Sequence, residues 1–323
     1  MVPLWAVAAV LWSGVAAVAV ARAAGLATVP LVTTLGIIFT SIVIEALPFV
    51  LVGALVSGAI AAWVPARGFE SLARLPRAVQ LPVATLAGLA FPVCECGSVP
   101  VGRRLLTKGL DQGAAVAFML AAPILNPLVL ASTWVAYSGR GQALEMTAAR
   151  AGLGMVIAMT IGVVVSRIAA TRPVLRDRPA DPHEHDHAAH GGRLAAFGDH
   201  AVADLLFMGK FLVLGAAVSA VIQAVLPQEV LSGIGGTPVL SALTMIGLAF
   251  ALSLCSEADA FVALSFTAFP LGSQLAFLVA GPMLDTKLAV LYGASFKRWF
   301  VPVVVAVVVP VALVGSLLFG VVT

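Results

Sequence analysis

Charge is scarce in this chain. Charged residues fill 10% of its 323 positions and hydrophobic ones 61%, with a mean hydropathy of +1.09. Soluble domains carry roughly 25% charged residues, so the composition argues against a soluble enzyme and assigns the chain to lipid. Cysteine is nearly absent as well, and three residues cannot build a disulfide framework. A Walker-type phosphate loop is missing. The Gly209-Lys210 pair has no glycine five residues upstream and no Ser or Thr after the lysine, which argues against a single-chain ATP-driven pump. The apolar stretches lack period-2 alternation with polar residues, against an outer-membrane barrel. The net charge is only +3, and its basic residues lie between apolar runs. Membrane orientation explains them, and nucleic-acid binding does not.

What fills the chain is apolar sequence in runs of bilayer length, about 20 residues each. Backbone amides in hydrocarbon must be bonded within their own segment, so these runs predict helices. Residues 4–21 form the first. Ala21-Arg22-Ala23 resembles a signal-peptidase site, but no Lys or Arg precedes the run and it is longer than a signal h-region. Residues 1–33 are therefore read as an extra N-terminal transmembrane helix.

An internal repeat organises the rest. Residues 49–65 match 211–227 at an offset of 162, with eight of seventeen positions identical. Farther along the offset is 159: Gly88-Leu89-Ala90-Phe91 recurs as Gly247-Leu248-Ala249-Phe250, and Cys96 falls on Cys255. Ala117-Phe118, Ala121, Pro123 and Leu125 recur as Ala276-Phe277, Ala280, Pro282 and Leu284. A register held through Phe, Pro, Ser and Cys predicts duplication: a first membrane repeat over 34–167, a polar linker over 168–199, and a second repeat over 200–323. Each half reads as a span (34–64; 200–226), an interrupted apolar region (81–112; 238–271) and two further spans (113–136 and 146–167; 272–293 and 299–321).

Loop charge orients these pieces. If each interrupted region leaves on the side it entered, Arg67, Arg74, Arg77, Arg103, Arg104, Lys108, Arg167, Arg172, Arg176, Arg178, Arg193, Lys297 and Arg298 share the cytoplasmic side with the linker. Arg22, Arg140 and Arg150 remain opposite. Re-entrant hairpins and pairs of short spans have the same parity, so both stay open. Each repeat then makes an odd number of crossings, and the halves are inverted. The fold class expected is an all-α polytopic membrane protein with two inverted repeats, each carrying an interrupted helical hairpin, a recurring plan of secondary transporters.

The two interruptions carry the polar residues. The first reads Phe91-Pro92-Val93-Cys94-Glu95-Cys96-Gly97-Ser98-Val99-Pro100, and two thiols in Cys-x-Cys spacing can face one soft ion or metalloid. The second reads Leu254-Cys255-Ser256-Glu257-Ala258-Asp259-Ala260. Acids in an apolar run cost roughly 2.5–3.5 kcal/mol each on insertion scales unless they face a cavity, a partner or a proton path. Glu95, Glu257 and Asp259 are thus candidates for proton coupling or cation binding. Pro123 with Asn126 and Pro282 with Asp285 break the following spans at matching positions, for polar contact with a substrate or for kinking alone. Glu45 and Lys210, in the equivalent first spans, either pair across the pseudo-symmetry axis or leave Lys210 reaching to the interface. In the linker, His183, His185, His187 and His190 alternate with acids, a pattern suited to transient Zn²⁺ or another divalent metal. No other cofactor is expected.

These residues resemble the predicted permease family that includes the organoarsenical efflux permease ArsP. The resemblance rests on Pro92-x-Cys94-x-Cys96-Gly97-x-x-Pro100, on Lys108-Gly109, on Ala121-x-Pro123-x-x-Asn126-Pro127, and on Leu254-Cys255-Ser256-Glu257-x-Asp259-Ala260-Phe261. It covers the membrane portion, about 34–321, but not the linker, and implies a bacterial inner-membrane permease. It also implies arsenic-binding cysteines, which here are Cys94, Cys96 and Cys255. Many members carry a small residue where this chain has Glu95, and a carboxylate there suits a cation better than a neutral arsenical.

The function expected is efflux of a thiophilic solute, either a trivalent organoarsenical or a soft divalent metal, with substrate contacts drawn from Cys94, Glu95, Cys96, Cys255, Glu257, Asp259, Asn126 and Asp285. Thiolate formation releases protons, so proton antiport is the natural coupling. The expected partners are the bilayer, the solute, and either a second copy of the chain or an accessory membrane subunit. Two other classes are a membrane thiol oxidoreductase using Cys94 and Cys96, and a non-transporting subunit of a larger complex.

Overall fold

A computed structural model describes residues 30–64, 76–90, 93–176, 193–225 and 237–322. Among these residues the protein is all helical apart from one isolated antiparallel bridge between Leu175 and Phe296. The N-terminal run at 4–21 and the four linker histidines lie outside the described residues.

In chain order the helices are α1 (Pro30–Trp63), α2 (Arg77–Leu86, continued by a 3-10 turn at Ala87–Ala90), α3 (Glu95–Thr107), α4 (Gln112–Leu125), α5 (Pro127–Ser138), α6 (Ala143–Ala169), α7 (Arg193–Val225), α8 (Pro238–Leu252), α9 (Asp259–Ser265), α10 (Leu271–Ala280), α11 (Thr286–Ser295) and α12 (Phe300–Val322). Among the described residues five stretches are long and apolar enough to cross a membrane: Thr33–Trp63, Gln112–Ser138, Ala143–Ala169, Arg193–Ala224 and Phe300–Val322. The protein is a multi-pass membrane protein. Their outer faces carry large exposed side chains such as Ile44, Leu51, Leu144, Val156 and Leu318, which lipid solvates.

The run at 272–293, expected as one interrupted span, is divided cleanly into α10 and α11. Asp285 causes the division: its Oδ1 accepts from the Leu288 amide at 2.6 Å and starts a new helix. Asn126 does the same between α4 and α5, accepting from Leu128 at 2.9 Å. There the two helices stay close enough in line to count as one stretch of crossing length. α7 begins at Arg193, several residues before the apolar run that marks it in sequence, because a helix continues wherever its backbone bonds continue.

Between membrane helices there is little hydrophobic driving force, so close packing of small residues holds them together. α4 is buried on every side from Gly113 to Leu125 and is rich in alanine. α1 and α7 lie against one another, with Gly58 of α1 set on the backbone of Phe197 and Ala201, and the Trp63 and Phe197 rings 5.2 Å apart. A Cβ at Gly53 would lie 2.5 Å from the Gly97 Cα, so the first turn of α3 rests directly on α1. Lys108, just beyond α3, donates to the Ala61 and Val64 carbonyls at 2.9 and 3.0 Å. α3 therefore runs parallel to the second half of α1, and the two end on the same side. Gly215 of α7 receives the first turn of α11 in the same way, with a Cβ there falling 2.9 Å from the Lys287 Cα. Gly53 and Gly215 are repeat partners at the offset of 162.

Candidate functional site

The first side of the site is the start of α3. Cys94 is its N-cap, in extended conformation (φ −75°, ψ 177°), and Glu95 stands in the first turn. A carboxylate is favoured there, where unpaired amides give the helix end partial positive charge. Ser98 donates its hydroxyl to the Glu95 carbonyl at 3.0 Å. The absence of a Cβ at Gly97 lets this turn reach α1.

The second side is the end of α8 and the turn after it. Ser253 closes α8 in the left-handed region (φ 47°, ψ 47°), a conformation that costs a non-glycine residue about 1–2 kcal/mol. Local bonds offset this. The Thr286 amide donates to Ser253 Oγ at 3.1 Å, and the Thr286 hydroxyl donates to the Phe250 carbonyl at 2.9 Å. The end of α8 and the start of α11 are thereby clamped together. Gln223 of α7 donates to the Leu252 carbonyl at 2.8 Å and steadies the same corner.

The two sides meet in a crevice lined by Ile42, Glu45, Ala46, Cys94, Glu95, Cys96, Cys255 and Lys287. It is closely packed, with no room for a water molecule between its walls. Cys94, Cys96 and Cys255 stand together in this lining, and all three cysteines are free and buried. Ser256 donates its hydroxyl to Glu95 Oε2 at 2.9 Å. Lys287 Nζ lies 3.5 Å from Glu95 Oε1 and 3.6 Å from Asp285 Oδ2. The Cys255 thiol donates to Glu257 Oε2 at 2.7 Å, while Glu257 Oε1 is buried without a hydrogen-bond partner. Acids outnumber the single lysine, so the crevice is electronegative and rich in sulfur. Among the described residues no group of three or more His, Cys, Asp or Glu side chains has the spacing of a formed metal site. A metal bound here requires the thiols to close in on it.

Of the residues picked from sequence, the fold brings Cys94, Glu95, Cys96 and Cys255 to this crevice. Glu257 joins through Cys255, and Asp285 through Lys287. Asp259 is elsewhere engaged. Arg150 Nη1 and Nη2 meet its two oxygens at 2.9 and 2.7 Å, and the arginine also donates to Thr133 Oγ1 and the Ser256 carbonyl. Arg150, expected among the loop charges, is instead fully buried within α6. Asn126 caps α5, and its Nδ2 is buried without a partner. Lys210 is exposed, with Nζ 5.0 and 5.1 Å from the Phe207 and Phe211 ring centroids, while Glu45 stands at the crevice.

Lys287 is the site residue that sequence reasoning missed. Its signal was present, as a lone lysine two residues past the Pro-x-x-Asp break in an apolar stretch. Glu45 is marked in the sequence with both a pairing to Lys210 and an unpaired Lys210 open, and the fold sets it at the crevice instead.

Comparison with known proteins gives the family. The family described as ArsP_1, "Predicted permease", matches residues 32–321. "UPF0718 protein YcgR" of Bacillus subtilis (strain 168) is 41% identical over 285 residues, covering 87% of this chain and 95% of the relative. The "Putative two-component membrane permease complex subunit" of Streptococcus mutans is 35% identical over 266 residues, covering 82% and 87%. No solved structure matches the chain. The protein belongs to the ArsP_1 family of predicted permeases, whose match spans all of its described helices but the first two residues of α1 and the last of α12.

Proposed function

We propose that this permease carries a thiophilic solute out of the cell through the crevice, with Cys94, Cys96 and Cys255 as its ligands. One observation carries the reading: Cys94 and Cys255, from opposite halves of the chain, line one crevice together with carboxylates. Thiolate selects soft ions. When a soft divalent cation binds Cys255, the S–H bond breaks and the sulfur pair goes to the metal. The proton passes to the Glu257 carboxylate 2.7 Å away, and its release to the opposite side gives proton antiport. A trivalent arsenical would bind the same thiols by exchanging each As–OH for As–S, with the thiol proton leaving in water.

The two halves act as inverted repeats, and alternating access comes from rocking one against the other about the crevice. Supporting this is the shared register that sets Gly53 on Gly215 and Cys96 on Cys255. α3 starts beside Gly53, partway along α1, and ends with it, and this short reach favours a re-entrant hairpin over two short spans. Asp259, Asn126 and Asp285 hold the frame around the ligands. The protein works in a bacterial inner membrane, with its linker histidines His183, His185, His187 and His190 loading metal from the cytoplasm. The name of the Streptococcus relative favours an accessory membrane subunit as partner over a second copy of this chain.

The test is transport in everted vesicles. The wild type should accumulate Cd²⁺ or phenylarsine oxide, and a Cys94→Ser, Cys96→Ser variant should not. Equal accumulation by both would remove the thiols from the mechanism. Under oxidant the thiols should stay reduced and protected by solute, whereas cycling to a disulfide would favour an oxidoreductase.

A further inference from the structure

Lys287 stands between two carboxylates, with one long hydrogen bond to Glu95 and a long ion pair to Asp285. Its separations of 3.5 and 3.6 Å from Glu95 and Asp285 exceed the roughly 2.7–2.9 Å of a settled charge-assisted contact. The side chains are 4%, 1% and 1% exposed, so water does not fill the difference. Asp285 commits Oδ1 to the Leu288 amide, and its Oδ2 has no hydrogen-bond partner. Among the residues lining the crevice, Lys287 is the one cation.

We propose that Lys287 is a tethered counter-ion, displaced from Glu95 by an incoming cation, and that this exchange makes the crevice prefer charged thiophiles to neutral ones. The inference rests on the reading that the crevice is the solute site. Glu95 lies between two of the thiols in sequence, and it becomes a ligand only when the ammonium leaves it. Asp285 Oδ2 is the unfilled acceptor on the other side, and a lysine stem reaches it by rotation about its own bonds. Two buried carboxylates share one ammonium, so an arriving cation supplies the missing positive charge. A neutral solute supplies none and leaves the lysine where it is. After release, the ammonium returns to Glu95, and the empty carrier does not expose an uncompensated buried charge to low dielectric.

The experiment uses the full-length chain in detergent at one fixed pH, with Cd²⁺ and uncharged phenylarsine oxide as calorimetric probes. The decisive variant pairs Lys287→Gln with Asp285→Asn. It removes one charge of each sign, so the net charge is unchanged, and Asn is the cap this chain already uses at position 126. Lys287→Arg serves as the conservative control, and elution as a single species certifies folding. The paired variant should bind Cd²⁺ roughly tenfold or more tightly than wild type, with phenylarsine oxide shifted less than about twofold. Lys287→Arg should stay near wild type for both. Equal shifts for the two probes, or no shift for either, would overturn the counter-ion role while leaving the solute site in place. A wild-type chain that binds neither probe would overturn the solute site and this inference together.

Discussion

Removing the carboxylate of Asp259 should unfold or severely destabilise the protein without touching the thiols. Arg150 has no exposed surface, and its guanidinium is held by both Asp259 oxygens at 2.9 and 2.7 Å. At 2.7 Å and an effective dielectric of about 20, the Coulomb attraction is on the order of 6 kcal/mol. Desolvation of both ions offsets most of that. What remains on deleting one partner is an arginine buried in a protein interior, at a cost of about 3–5 kcal/mol. Thr133 Oγ1 and the Ser256 carbonyl still accept from Arg150 but supply no charge. Asp259→Ala should therefore lose most of its thermal stability in detergent, measured by the temperature at which it aggregates. Replacing both ions, as Arg150→Met with Asp259→Leu, removes the stranded charge and should recover much of the loss. The double variant should also transport, because neither residue lines the crevice. An Asp259→Ala variant as stable as wild type, or a double variant no better than the single, would refute this reasoning.

Other outcomes follow from contacts at the helix crossings. Gly53→Leu should separate α1 from α3 and abolish both folding and transport, since even a Cβ there meets the Gly97 backbone at 2.5–2.7 Å; expression and vesicle uptake report this. Gly215→Ala meets Lys287 less closely, at 2.9 Å, and should yield a folded protein with weaker uptake. Asn126→Ala removes only a cap and should cost about 1 kcal/mol, seen as a small drop in melting temperature with transport retained. Asp285→Ala loses its cap and its ion pair together and should be the more damaging of the two.

The site was legible in sequence where a repeat or a spacing marked it. Cys96 and Cys255 share a register at the offset of 159, and with the matching Gly-Leu-Ala-Phe stretches before them this sets the two interruptions at equivalent positions. Asn126 and Asp285, matched at the same offset, are both helix caps. Lys287 reaches Glu95 only because α11 starts against Gly215 while α3 starts against Gly53. That arrangement is set by packing between helices far apart in sequence, and periodicity does not record it. Arg150 counts with the outer charges in sequence because it lies in the first turns of the run at 146–167. The helix starts earlier, at Ala143, and a polar residue one or two turns inside a helix can be buried if a partner is supplied from elsewhere. That partner, Asp259, was visible as an acid in an apolar run, but nothing local joined the two.

The claim beneath all of this is that Cys94 and Cys255 are neighbours across the two halves of the chain. In membranes, a Cys96→Ser variant keeping only those two thiols should take up one equivalent of phenylarsine oxide. Both cysteines should then be lost to alkylation at once, as read by intact-protein mass. If both remain open to alkylation after the arsenical is added, the two turns do not meet and the proposed pathway has no centre.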